Sequence, residues 1–369
     1  MFDATPMNPA ELAAIAESAP RRGRKAKGRE QPVSPTPSAP IIQGEADSVP
    51  DSDPVPLPPE WSSGHVPLAP YVPTPEITET IDEIVSFHSL RQGMIRAQTR
   101  LKLQGMASIR FMVQTDDDFS SDEAKDKARK RAEDLYNKVA GDPSHEMFTN
   151  IEPYLLAMEP LDTQRAIYEK ALVKAAKRLP VYEWAKGVKG FGDISFATIV
   201  GECGDIGTYK SVSAVWKRLG LAVIDGKRQG APGDEPIPLE RLPYDLQQEV
   251  IAGQLTLKAA TWIVHGYRAP RRSVSWNARK HVIGGMGKWR PRFGEDVDAN
   301  PELTYYQRVY AHRARYEAPR CPRKDGSTDI RLSDKGKESY GAWTANRAHR
   351  YVEKRLLKHL YIEWRRASA

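Results

Sequence analysis

Residues 180–204 read PVYEWAKGVKGFGDISFATIVGECG. At their centre, Val188-Lys189-Gly190-Phe191-Gly192 separates a short aromatic segment from an apolar one containing Ala197, Ile199 and Val200. Two glycines flanking one hydrophobic residue suit a tight turn between two helices, because glycine reaches backbone conformations closed to other residues. Phe191 is then expected to fill the space between the helices. Amides of the turn and of the following helix start are expected to face outward, where the helix dipole favours an anion. A phosphate held there positions a protein on nucleic acid and carries no sequence information. The predicted fold is therefore mainly α, a helical domain containing a helix-hairpin-helix. Its predicted backbone contacts are Gly190, Phe191, Gly192, Ile194 and Ser195, with Lys186 and Lys189 beside them. Asp193 works against this reading. At a helix N-cap it would bond the amide of Ser195 or Phe196, and its charge would repel a phosphate. A Gly-x-Gly is weak evidence by itself, so a hairpin that only packs is the competing reading.

Charge is unevenly placed along the chain. From residue 261 onward there are 24 Lys and Arg against 11 Asp and Glu, whereas the preceding residues hold 31 against 37. Such segregation points to a polyanionic partner. The stretch from Arg268 to Arg292 carries eight cations and no acid, with Trp276 and Trp289 among them. Interleaved cations and aromatics suit phosphate contact and stacking on unpaired bases. Arg271, Arg272, Arg279 and Lys280 are the candidate phosphate ligands. The competing reading makes the cations a solvated face and buries the tryptophans.

Other classes are disfavoured. No run of about 18 apolar residues exists, so no transmembrane helix is expected. The opening MFDATPMNPAELAAIAES lacks a charged segment followed by an apolar one, as a secretory signal requires. Cys203 and Cys321 stand alone, so neither a disulfide framework nor a zinc site is expected, and a cytoplasmic location fits. His265, His281, His312, His349 and His359 have no ligand spacing, and no metal or cofactor is expected. Asp116-Asp117-Asp118 reads as a solvated turn and helix start, since adjacent side chains point in different directions.

Three regions follow from the pattern. Residues 1–75 hold 16 of the 29 prolines and are expected to be a disordered tail. Its basic run, Arg21 to Arg29, is followed by residues 31–75 with five acids and no Lys or Arg. Residues 76–179 are expected to be helical. Thr74-Pro75-Glu76 starts a helix, and Ile77, Ile81, Ile84, Met94, Leu101 and Ile109 recur at helical spacing, as one helix or two broken near Gly93. Ser121-Asp122-Glu123 opens a charged helix ending at Gly141. Residues 144–178 read as two helices split at Glu159-Pro160, with Ile167, Ala171, Leu172, Val173 and Ala176 in the core. The 76–140 helices are candidates for homo-oligomer contacts. Residues 180–369 contain the hairpin, a loop at 226–241, a helix from Leu246 to Val264, and a last helix from Ala345 to Arg366. In that helix Ala348, Val352, Leu356, Leu360 and Trp364 recur every four residues and should pack inward.

The run from Gly190 to Asp205, GFGDISFATIVGECGD, resembles without a gap the stretch GIGPITAATLLAEIGD of insertion-sequence transposases related to the Piv/MooV invertases. Tyr209-Lys210-Ser211 and Trp216-Lys217-Arg218-Leu219-Gly220-Leu221 are similar to that family's F-x-S … LAAYAGL. Farther on, Trp276-Asn277, Tyr305-Tyr306, the run from Arg350 to Leu357 and Trp364-Arg365 are similar to the ends of small transposase-like bacterial and phage proteins. The resemblance implies a DNA-binding region from a mobile-element recombination system, with DNA or structured RNA as partner and no membrane. Two departures limit it. Family members begin with a ribonuclease-H-like domain bearing four catalytic acids on strands, where this chain has its Pro-rich tail and helices. Their nucleophilic serine follows the Gly-Leu segment, where this chain has Gln229, and an amide is no nucleophile. Ser273 or Ser275 would serve only if the alignment slipped. Binding without strand transfer is the expectation and no catalytic residue is assigned. An active transposase and a structural, partner-binding helical protein are the alternatives.

Overall fold

A computed structural model describes residues 70–224, 227–229, 236–284, 297–323, 326–332 and 338–368, and among them the chain is mainly helical. The disorder expected over residues 1–69 lies outside the described residues. Residues 70–74 correct the tail's expected limit, because Tyr71 packs against the main core. Helix α1 (Pro75–Val113) starts as its sequence requires. The Thr74 hydroxyl accepts from the Ile77 amide at 3.3 Å, and Pro75 occupies a position where no amide is needed. The helix runs 39 residues without breaking at Gly93, whose Cα faces open space. Before α2 (Asp122–Ala140), the aspartate triplet forms a 3-10 turn. Asp118 accepts from the Thr115 amide at 2.9 Å and from Arg131 at 2.6 Å, so this carboxylate anchors the turn. Ser121 caps α2 through the Ala124 amide, and Gly141 follows its last residue.

Helix α3 (Glu152–Ala176) departs from expectation by running straight through Pro160. A proline inside a helix costs about 3 kcal/mol. Packing of α3 along much of α1 offsets that cost. Leu172 and Ala176 are buried as expected, whereas Ile167 is 51% exposed. Five residues separate it from Leu172, about 140° around the helix. The long apolar stretch at 246–264 is also two helices, α7 (Tyr244–Ile251) and α8 (Leu257–Val264). Gly253 between them adopts φ 71°, which ends the first.

The short helix α4 (Tyr182–Gly187) leads to α5 (Asp193–Cys203), which touches α1, α3, α4 and α9 (Ala269–Gly284). Phe196, Ala197, Ile199 and Val200 of α5 are all fully buried. A helix apolar on every side belongs at the centre of a bundle. Helices α6 (Val212–Arg218), α10 (Tyr305–Glu317) and α11 (Ala342–Ala367) contribute to the same core. The five-membered α11 stripe from Ala348 to Trp364 is buried throughout, packed against α6, α9 and α10. One core runs from Ile77, Ile81 and Ile84 through Leu172 and Phe196 to Val282, Val352 and Leu360, so both sides of residue 180 share it. Two small antiparallel ribbons complete the described structure, β1 (Val223–Ile224) with β2 (Lys227–Arg228) and β3 (Ile330–Leu332) with β4 (Glu338–Tyr340). No described helix is long and apolar enough to cross a membrane.

Candidate nucleic-acid interface

The turn from α4 to α5 is built on Phe191, which is 2% exposed. It meets Trp184 and Phe196 edge to face, with ring centroids 6.4 and 6.1 Å away, and fills the space between the helices as expected. The Phe191 amide donates to the Val188 carbonyl at 2.9 Å. Gly190 has φ 86°, and a Cβ there would lie 2.6 Å from the His281 carbonyl oxygen and 2.9 Å from the Val282 Cα. Glycine is thus required twice, for its backbone conformation and for the approach of the turn to the last turns of α9. Gly192 is different. It is exposed with φ −58° and ψ 159°, and a Cβ there meets nothing.

Gly192, not Asp193, is the N-cap of α5. The Asp193 carboxylate turns to Tyr182, whose hydroxyl donates at 2.9 Å, and to Lys177 at 3.0 Å. Burial raises its pKa, but the bonds from Lys177 and Tyr182 outweigh that and hold the carboxyl below the usual range. Its charge is thereby paired. The amides of Lys189, Gly190, Gly192, Asp193 and Ile194 make no hydrogen bond among the described residues. Ser195 does not join them, because its amide donates to the Gly192 carbonyl at 2.9 Å. The Ile194 side chain packs against the core. Lys186 and Lys189 are exposed; Lys186 lies 3.6 Å from the exposed Glu183 and also acts on the Asp193 carboxylate. These parts make a small electropositive mouth of backbone donors flanked by two lysines.

The four basic residues of α9 do not act as a set. Arg272 forms a bidentate pair with Glu353, one arm at 2.9 Å, and Glu353 is 1% exposed. Arg279 is 4% exposed, and burial pulls its guanidinium below the usual arginine range, partly offset by Glu353. Arg271 bonds Glu202 at 3.3 Å. Only Lys280 stands free of the interior. Sequence reasoning counted these charges without their acids, which lie 69 and 81 residues away. It also missed His88, buried in α1, whose Nε2 lies 3.0 Å from the Glu202 carboxylate. Burial raises the Glu202 pKa, but His88 and Arg271 outweigh it and keep the carboxyl below the usual range. Trp276 is 43% exposed, and Arg279 and Lys280 approach its ring at 5.1 and 5.6 Å. Lys288, Trp289, Arg290 and Arg292 lie outside the described residues, as does the basic run 21–29.

The candidate nucleophile positions hold structural groups. Gln229 is buried. Its amide donates to the Lys217 and His265 carbonyls at 3.1 and 2.7 Å, and its side-chain oxygen accepts from the Ala222 amide at 3.3 Å. It clips the β1–β2 ribbon to the ends of α6 and α8. The Ser273 hydroxyl donates to the Pro270 carbonyl at 2.6 Å, and Ser275 is buried beside Arg272. Neither serine bonds a histidine or carboxylate among the described residues. No group of three or more potential metal ligands is present among them. His359 lies inside the core 2.9 Å from the Tyr306 hydroxyl, His349 stacks on Tyr310, and His312 lies 2.8 Å from Asp298. No protein-family model, curated protein or solved structure matches the chain.

Proposed function

We propose that this protein binds nucleic-acid backbone, DNA foremost, through the α4–α5 turn acting as a helix-hairpin-helix, without reading sequence. The observation that carries the proposal is the set of amides of Lys189, Gly190, Gly192, Asp193 and Ile194, unbonded among the described residues and set at a helix start beside exposed Lys186 and Lys189. A phosphate oxygen satisfies such donors, and the helix dipole adds to the attraction. The partner is the DNA or structured RNA implied by the resemblance to mobile-element transposases, and the protein binds without joining strands. Gln229 has no nucleophilic chemistry, and the hydroxyls of Ser273 and Ser275 bond no base among the described residues.

The test uses Gly192, where a side chain is accommodated without distorting the turn. Gly192→Ala should bind DNA nearly as wild type does, whereas Gly192→Glu should lose most affinity for every duplex sequence alike. Equal binding by both variants would refute phosphate contact at this turn. It would favour the second reading, a hairpin that only packs, which the contact of Gly190 with α9 supports. Nicked or protein-linked plasmid in the presence of Mg²⁺, lost in Ser273→Ala or Ser275→Ala, would refute the absence of strand transfer.

A further inference from the structure

Helix α9 keeps an exposed stripe made of Ser273, Trp276, Asn277, Lys280 and His281, while Val274, Ser275, Ala278, Arg279, Val282 and Ile283 are buried. The stripe contains no acid and ends where the turn seats, since Gly190 touches the backbone of His281 and Val282. Trp276 lies five residues before His281, about 7.5 Å along the helix axis. Along a duplex axis one strand rises about 3.4 Å per nucleotide, so for a helix lying along that axis this distance spans about two nucleotides. The Trp276 indole is nearly half exposed, with two cations at its ring. A large apolar ring held open beside cations suits a nucleobase face better than a duplex backbone.

Resting on the proposed binding at the turn, we infer that the partner is a duplex end or junction carrying unpaired bases. The phosphate sits on the unbonded amides of Lys189, Gly190, Gly192, Asp193 and Ile194, and an unpaired base about two nucleotides away stacks on Trp276. Lys280 pairs with the phosphate between them. The internal base pairs of a blunt duplex cannot offer that base, because both faces of each are already stacked.

Fluorescence anisotropy with three labelled DNA probes tests this: a blunt duplex, the same duplex with a four-nucleotide single-stranded overhang, and the overhang strand alone, with RNA versions as a further arm. The overhang duplex should bind roughly 5- to 100-fold more tightly than the blunt one, the range expected for one stacked base. Trp276→Ala should abolish that preference and leave blunt-duplex affinity nearly unchanged, and Trp276→Phe should restore most of it. Thermal melting of each variant guards against a folding effect. Equal affinity for blunt and overhang duplexes, or a preference that survives Trp276→Ala, would overturn the inference. Proposed binding at the turn would still stand in that case if Gly192→Glu abolished blunt-duplex binding. Failure of wild-type protein to bind any probe would overturn both.

Discussion

Gly190→Ala is expected to destabilise the fold, whereas Gly192→Ala is not. At Gly190 the backbone has φ 86°, a conformation that costs an L-residue roughly 1–2 kcal/mol. The new methyl would also lie 2.6 Å from the His281 carbonyl oxygen and 2.9 Å from the Val282 Cα, both backbone atoms of α9 that cannot swing aside. Relief requires the turn to lift from α9 and disturb the packing around Phe191, which adds about 1–2 kcal/mol by analogy with overpacked cores. The sum is about 3 kcal/mol. Gly192 has φ −58° and ψ 159°, an ordinary conformation facing open space. Alanine there should change stability by less than about 1 kcal/mol, with gain favoured by the reduced freedom of the unfolded chain. Urea unfolding of the three proteins, followed by far-ultraviolet circular dichroism, measures both differences. Equal midpoints for Gly190→Ala and wild type, or equal losses for the two alanine variants, would refute the packing of the turn on α9.

Further outcomes follow from buried groups. Deleting residues 1–69 should leave the melting temperature unchanged, whereas deleting 1–72 should lower it. The second cut removes the Tyr71 hydroxyl, which donates to Asp205 at 2.9 Å and accepts from the Trp364 indole at 3.3 Å. Glu353→Ala should cost about 3 kcal/mol in denaturant unfolding, because Arg272 is left without its buried partner. Burial holds the His359 pKa down at about 3, with Arg355 and Lys358 pushing the same way. Below the ordinary histidine pKa of about 6.5 the unfolded chain therefore binds a proton that the folded chain refuses. Stability conferred by this site is present above that pKa and lost as pH falls toward 3, by on the order of 4 kcal/mol. Unfolding titrations of His359→Gln over pH 7 to 4 should show a flatter acid limb than wild type, and identical limbs would contradict the assignment.

Local signals carried much of the architecture. Thr74-Pro75, Ser121 and Gly141 mark helix ends because capping and backbone preference are decided within a few residues. The α11 stripe was legible for the same reason, its period matching the turn of a helix. Pro160 misled because the packing of α3 on α1, which sustains the helix there, involves residues distant in sequence. Tyr71 was hidden among prolines, and its partners Asp205 and Trp364 lie 134 and 293 residues away. At the candidate interface Phe191 is inside and Lys186 and Lys189 are exposed as the sequence suggested, and Gly190 needs its glycine, but Gly192 adopts an ordinary conformation instead of one reserved for glycine. The neighbouring charges were not legible. Arg272 and Arg279 lie within about a turn of Trp276 in sequence, yet both are drawn into the interior, where Glu353 pairs with Arg272 and only partly offsets the burial of Arg279. Counting cations along a helix cannot distinguish a face turned outward from one answered by an acid on another helix.

Salt dependence of DNA binding tests the central claim most directly. Lys186, Lys189, Arg268 and Lys280 are, among the described residues, exposed cations at the turn and on or next to α9 that make no ion pair with the buried acids. If these four neutralise four phosphates, affinity for duplex DNA should fall roughly 10²-fold between 50 and 200 mM monovalent salt. The slope should be the same for duplexes of unrelated sequence, because backbone contacts carry no base information. Gly192→Glu should weaken binding at every salt concentration. Affinity that is independent of salt, or a slope that changes with duplex sequence, would contradict backbone binding at this turn.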